Sequence, residues 1–134
     1  MEISHGNLGN MKNQNIQNDF KNKTVLVTGH TGFIGTWMSL WLDFLGAKVI
    51  GYSQNPSTKP SIFEIVKLKK NITHVIGDIN NFEKLQQIIK INKPEFVFHL
   101  AAQSIVRESY DNTLKTFQTN VIGTANILES IKTS

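Results

Sequence analysis

The chain has 134 residues and a mass of 15.1 kDa, with 40% apolar and 18% charged residues, the make-up of one globular domain that buries roughly two-thirds of its unfolded surface. It holds no cysteine, which excludes disulfides, thiolate zinc sites and a cysteine nucleophile. The net charge of +4 is modest and its 14 Lys and Arg are scattered apart from Lys67, Lys69 and Lys70, so a solvated face is expected there and no nucleic-acid partner.

Residues 1–22 carry six asparagines (Asn7, Asn10, Asn13, Asn15, Asn18, Asn22), and their six apolar residues keep no period. Such a stretch buries too little surface to offset its ordering entropy, so a flexible Asn-rich arm is expected over 1–22, with one domain over 23–134. Thr24 to Thr28 is a continuous β-branched, apolar run, as in a strand buried on both faces. Gly29 to Gly32 follows, then a helix to Leu45 closed by Gly46 at its C′ position. That helix is apolar nearly all round (Phe33, Ile34, Trp37, Met38, Leu40, Trp41, Leu42, Phe44, Leu45), which predicts deep burial on every side. Its run from Phe33 to Leu45 is 13 residues, too short for a bilayer, and no charged region with an apolar stretch opens the chain; no membrane partner and a cytoplasmic location are expected.

Lys48 to Tyr52 reads as a second strand, Ser61 to Leu68 as a short helix, and Ile72 to Ile76 as a third strand ending at Gly77 and Asp78. Asn81 can cap a helix with the stripe Phe82, Leu85, Ile88 and Ile89. Glu95 to Leu100 is a fourth strand. From about Thr113 a last helix carries Phe117, Val121, Ala125 and Leu128. The alternation predicts an α/β fold, a partial Rossmann domain with four parallel strands ordered 3-2-1-4 and helices on both faces.

Gly29, Gly32 and Gly35 fall between the first strand and the first helix, where a dinucleotide fingerprint belongs. The first lets the chain turn off the strand, the second admits a pyrophosphate where a Cβ would block it, and the third permits close helix packing. The helix N-terminus offers free N–H groups to phosphate. No Gly-Lys-Ser/Thr follows, so a P-loop is excluded. The four histidines (His5, His30, His74, His99) show no metal-ligand spacing, and no metal site is expected. At the end of the second strand, where an acidic residue commonly holds the adenosine ribose, stand Ser53, Gln54 and Asn55, so local residues leave NAD or NADP open.

The run Thr28-Gly-His-Thr-Gly-Phe-Ile-Gly35 resembles the cofactor loop of the extended short-chain dehydrogenases/reductases, the nucleotide-sugar epimerases and dehydratases. The similarity extends over about residues 19–132. It is narrowest to the CDP-glucose 4,6-dehydratases, through Phe98-His-Leu-Ala-Ala-Gln103 with Val106, Arg107, Ser109 and Tyr110, and Thr119 to Thr124. The resemblance implies NAD as cofactor, CDP-glucose or another nucleotide sugar as substrate, a homo-oligomer in the full-length form, and a place in nucleotide-sugar and surface-polysaccharide metabolism. It implies a backbone cradle for the pyrophosphate from Gly29, Thr31, Gly32, Phe33, Ile34 and Gly35, with Ser53 near the ribose. Asp78 would accept from the adenine amine, with Ile79 packed on its ring. Leu100, Ala101 and Ala102 would flank the nicotinamide ribose, and Gln103, Arg107 and Tyr110 the sugar nucleotide. Asn120 aligns with an asparagine that supports a proton path in the family. Plainer roles stay open for three of these: Asp78 as a turn or cap residue, Arg107 as a surface arginine, Asn120 as a structural amide.

The family's catalytic Tyr-x-x-x-Lys is absent: Tyr52 is followed four residues on by Pro56, and Tyr110 by Leu114. No catalytic residue is therefore expected within 1–134, and the chain stops one strand short of the segment that carries the pair in the family. The expected function is the dinucleotide-binding portion of a nucleotide-sugar dehydratase, a lyase. The alternatives are a related epimerase or dehydratase acting on a UDP- or dTDP-sugar, and a non-catalytic dinucleotide-binding module.

Overall fold

A computed structural model describes residues 16–134. Four parallel strands, β1 (Thr24–Thr28), β2 (Lys48–Ser53), β3 (Thr73–Ile76) and β4 (Phe96–His99), lie in the order β3-β2-β1-β4. This is the predicted order. Val25 is level with Val49 and Phe96, and Leu26 with Ile50 and Val97, so alternate residues feed two separate cores. On one face Val25, Val27 and Val49 pack with Leu42, Phe63, Leu68 and Ile72. On the other, Leu26, Ile50 and Tyr52 pack with Ile79, Leu85, Ile89 and Ile127. A strand buried on both faces must be apolar at every position, which is why β1 reads as a continuous run.

The first core is covered by α1 (Phe33–Phe44), α2 (Ile62–Ile65) and a 3₁₀ turn (Leu68–Lys70), the second by α3 (Phe82–Asn92) and α6 (Gly123–Lys132). Gly46, at φ 83°, closes α1 as expected, and Asn81 Oδ1 caps α3 by accepting from Lys84 N at 3.0 Å. The helix predicted over Ser61 to Leu68 is cut after Ile65, because Lys67 takes a left-handed conformation at φ 52° that no α-helix tolerates.

Two further expectations change. Helix α1 is not buried all round: its sheet-facing side is the small set Gly35, Thr36 and Ser39 with Leu42, while Phe33, Trp37, Trp41 and Phe44 are 45–80% exposed. Small inward residues draw this helix close to the sheet and turn its bulk outward. The last helical stretch is not one regular helix but α4 (Val106–Asp111), α5 (Thr113–Phe117), a π-helical turn (Gln118–Ile122) and α6. In the π turn the Gly123 amide donates to Gln118 O, which rotates the faces that follow. The buried positions are Gly123, Ile127 and Ser130, and the predicted stripe of Phe117, Val121, Ala125 and Leu128 points outward.

Of the expected arm over 1–22, residues 1–15 lie outside the described part. Residues 16–20 are helical, and the Phe20 ring sits 5.1 Å from Phe96 and 6.2 Å from Phe98, centroid to centroid. Ordered structure therefore begins ahead of Lys23.

Leu85 is fully buried whereas Leu114 is 88% exposed. Leu85→Ala is expected to cost about 2–5 kcal/mol by urea denaturation, from lost burial and the cavity left, and Leu114→Ala less than about 0.5 kcal/mol.

Candidate functional site

The carboxyl end of β1 runs into the glycine turn, and three backbones converge there. Gly29 has φ 75°, and a Cβ on it would lie 2.7 Å from both Leu100 C and Ala101 N at the end of β4. Both its conformation and its neighbours demand glycine. A Cβ on Gly35 would lie 2.1 Å from Gly29 O, so this glycine permits the expected close packing of α1, directly on the turn. Gly32 differs: a Cβ there would meet only Gly29 O, at 3.3 Å, and otherwise open space.

Gly32 is also the N-cap of α1. It supplies no side-chain cap, and the first turn carries no acidic residue. The first-turn N–H groups have no partner within the helix, so a positive helix end stands open to an anion. Phe33 and Ile34 contribute backbone here while their side chains point to solvent. Thr31 holds the turn against β2: its hydroxyl donates to Gln54 O at 2.9 Å and accepts from the Ser53 hydroxyl at 2.9 Å. Ser53 is thus drawn to the turn, at the strand end where a ribose was expected.

The ends of β2 and β3 form the next part of the site. Gln54 Nε2 donates to Asp78 Oδ2 at 2.6 Å, and Asp78 Oδ1 accepts from Asn80 N at 2.8 Å. An open cleft of about 510 Å³ lies here, lined by Gln54, Asn55, Ile76, Gly77, Asp78, Asn81 and Lys84. Asp78 therefore lies at the predicted end of the site, in a turn that it also stabilises. Ile79 does not fit its expected role. Its side chain is 4% exposed and packs on Gly123, where a Cβ would lie 2.6 Å from Ile79 Cγ2. It belongs to the core beneath α6, and no adenine ring can stack on it there.

The Tyr52 hydroxyl donates to Asp78 O at 2.8 Å. Burial, and then the Asp78 carboxylate, push this phenol up to about 12, far from a general base. Beneath the turn, the rings of His30 and His74 are joined by a 2.7 Å hydrogen bond from Nε2 to Nδ1. Gly51 makes room for the pair: a Cβ on it would lie 2.3 Å from His30 Cγ. Burial and the neighbouring His74 hold His30 down at about 4.

Beyond β4, Asn120 accepts from Gln103 N at 2.8 Å and donates to Gln103 O at 3.0 Å, clamping the loop that follows the strand. The amide is occupied by this structural role. Arg107 and Tyr110 lie on α4 with exposed side chains, outside the turn that unites Gly29, Thr31, Gly32, Gly35, Ser53, Leu100 and Ala101. Ala102 follows them, exposed. Sequence reasoning missed the His30–His74 pair and the Gln54–Asp78 contact. A glycine inside a strand, Gly51, was the available signal for the first.

The histidines set a pH dependence. An unfolded chain takes up a proton near 6.5 that folded His30 resists down to about 4. His74 and His99 are also held below their ordinary values, by burial first. Stability from these groups is full above pH 6.5 and is lost as pH falls through the window below it. The unfolding free energy should drop by about 2 kcal/mol from His30 alone between pH 7 and pH 5, measured by urea titration; a flat profile contradicts the assignment.

Comparison with known proteins agrees with this architecture. The chain is 52% identical over 116 residues to the CDP-glucose 4,6-dehydratase of Salmonella typhimurium, covering 87% of this chain and 32% of that protein. It is 39% identical to UDP-glucuronate 4-epimerase 4 of Arabidopsis thaliana, covering 81% of this chain and 26% of that protein. Among solved structures, an epimerase of Methanothermobacter thermautotrophicus superposes with a TM-score of 0.73 at 30% identity, over 89% of this chain and 34% of that one. The UDP-glucose 4-epimerase of Thermus thermophilus in complex with NAD gives 0.73 at 27% identity, over 82% and 34%. The chain thus spans about a quarter to a third of the length of the curated relatives it matches. The sequence profile of the GDP-mannose 4,6-dehydratase family matches residues 26–134, and the chain belongs to that family.

Proposed function

We propose that this chain is the dinucleotide-binding portion of an NAD-dependent nucleotide-sugar dehydratase, acting as a lyase on CDP-glucose. One observation carries the reading: an uncapped helix N-terminus behind Gly32, with open space where a side chain would stand. That cradle fits a pyrophosphate. Held there by the backbone of the glycine turn, NAD would supply a hydride acceptor. The 52% identity to a CDP-glucose 4,6-dehydratase supports CDP-glucose over other sugars, and the similar epimerase structure in complex with NAD supports NAD as the cofactor.

The chain's own residues bind and orient. Backbone N–H groups of α1's first turn hold the diphosphate, while Gly29 and Thr31 keep the turn's shape. Ser53 borders the adenosine ribose and Asp78 the adenine edge. Leu100, Ala101 and Ala102 border the nicotinamide ribose. Gln103, Arg107 and Tyr110 contribute to the sugar-nucleotide side, Arg107 as a bidentate partner for a diphosphate, with Asn120 holding the loop that carries Gln103. No residue of 1–134 is assigned to proton removal from the sugar: Tyr52 donates to Asp78 O, and neither Tyr52 nor Tyr110 has a lysine four residues on. A cytoplasmic, homo-oligomeric enzyme of polysaccharide-precursor synthesis completes the proposal.

Isothermal calorimetry tests it. The 134-residue chain should bind NAD, and Gly32→Val should weaken binding by about ten-fold or more, since a branched side chain fills the cradle. Equal affinity in both overturns the reading. With CDP-glucose and NAD added together, the chain should form no 4-keto product, because a positioned general base, typically worth about 10²- to 10⁴-fold, is missing. Turnover abolished by substituting a residue within 1–134 overturns that.

A further inference from the structure

We infer that His99 is a positioning residue of this site: held as the neutral Nε2–H tautomer between Thr28 and Thr124, it fixes where the end of β4 lies against the glycine turn. The inference rests on the functional reading above in so far as the site is a dinucleotide's.

The tautomer follows from counting protons. Thr28 is fully buried, and its Oγ1 lies 3.2 Å from Leu100 N and 3.3 Å from Ala101 N. The Leu100 amide is shared with the Thr28 carbonyl oxygen at 3.1 Å, so the Thr28 hydroxyl can still donate to His99 Nδ1, 2.7 Å away, or accept from it. The far side of the ring decides. Thr124 Oγ1 lies 2.7 Å from Asn120 O, a carbonyl that can only accept, so the Thr124 proton is committed there. Its lone pair faces His99 Nε2 at 3.1 Å, and that nitrogen must carry the proton. The neutral ring then has a bare Nδ1, which accepts the Thr28 hydroxyl proton.

The result is a directed chain from the Leu100 and Ala101 amides through Thr28, His99 and Thr124 to the Asn120 carbonyl. Asn120 then closes on Gln103 through its side-chain amide, in both directions. Leu100 to Gln103, the segment assigned to the nicotinamide ribose and the substrate, is therefore pinned at one end by Thr28 and at the other by Asn120. His99 joins the two pins. Asn120 sits in the π turn, an irregularity found often at functional sites. A charged ring would place a third donor on Thr28 Oγ1, and burial holds His99 below its ordinary value, against that state.

The test uses the 134-residue chain, with ¹⁵N-detected histidine spectra and NAD titrations. The wild type should show His99 as the Nε2–H tautomer at pH 7. Thr28→Ser keeps the hydroxyl and should keep both the tautomer and the NAD affinity. Thr28→Val keeps the shape but not the proton, and should weaken NAD binding by about ten-fold while urea unfolding stays cooperative. Should Thr28→Val fail to fold, Thr124→Val removes the far end of the chain. It is expected to open the Nε2 proton to solvent exchange, shift the Leu100 to Gln103 amide resonances and weaken NAD binding. An Nδ1–H or mixed tautomer in the wild type overturns the inference, as does wild-type affinity in the folded valine variants. A wild type with the Nε2–H tautomer but no NAD binding at all overturns the functional reading instead, and leaves the relay as the geometry of the strand end.

Discussion

The structure depends on one close approach: the end of β4 and the first turn of α1 both press on the backbone of Gly29. A single Cβ at Gly29 would lie within 2.7 Å of β4, and one at Gly35 within 2.1 Å of Gly29 O. Neither neighbour is a flexible side chain that could move aside. This contact sets the helix N-terminus against the strand end, and the open cleft lies at the ends of β2 and β3. Gly32, next to both, is the one glycine of the three whose missing side chain leaves open space, so the same turn is rigid where backbones meet and vacant where a ligand enters.

Around that turn, short polar contacts do the holding. Thr31 ties it to the end of β2, Gln54 ties β2 to Asp78 after β3, and Asn120 ties the loop after β4 to the last helical stretch. Each joins a loop at the carboxyl edge of the sheet, where backbone groups have left the ladder and need other partners. The apolar cores lie beneath and meet the site at Tyr52, Leu100 and Ala101. Large apolar side chains are turned outward on α1, and again at Tyr110, Leu114, Phe117 and Leu128.

Strand order and the glycine turn were legible in the sequence because each leaves a local mark: doubly buried strands are apolar at every position, and a forced backbone shows as glycine. The faces of the last helix were not legible, since its apolar stripe is exposed both before the π turn, at Phe117, and after it, at Leu128, while the small residues Gly123 and Ser130 are buried with Ile127. The outward bulk of α1 was hidden for the same reason. Periodicity reports apolar positions, whereas here the small residues Gly35, Thr36 and Ser39 mark the inner face. Ile79 was misplaced because its neighbour Gly123, 44 positions later, reaches it only through the fold. The pair His30 and His74 is likewise joined by the lateral order of β1, β2 and β3, which no spacing rule reads. Arg107 and Tyr110 lie on an exposed helix whose relation to the cleft the sequence did not settle.

Amide chemical-shift mapping during an NAD titration is the most direct measurement of the central claim, that the turn around Gly32 holds a dinucleotide's phosphates. The account predicts the largest shifts at the amides of Gly32, Phe33, Ile34 and Gly35, with smaller ones at Ser53, Asp78 and Ala101 to Gln103. Shifts that leave the first turn of α1 unmoved while another surface responds would contradict it.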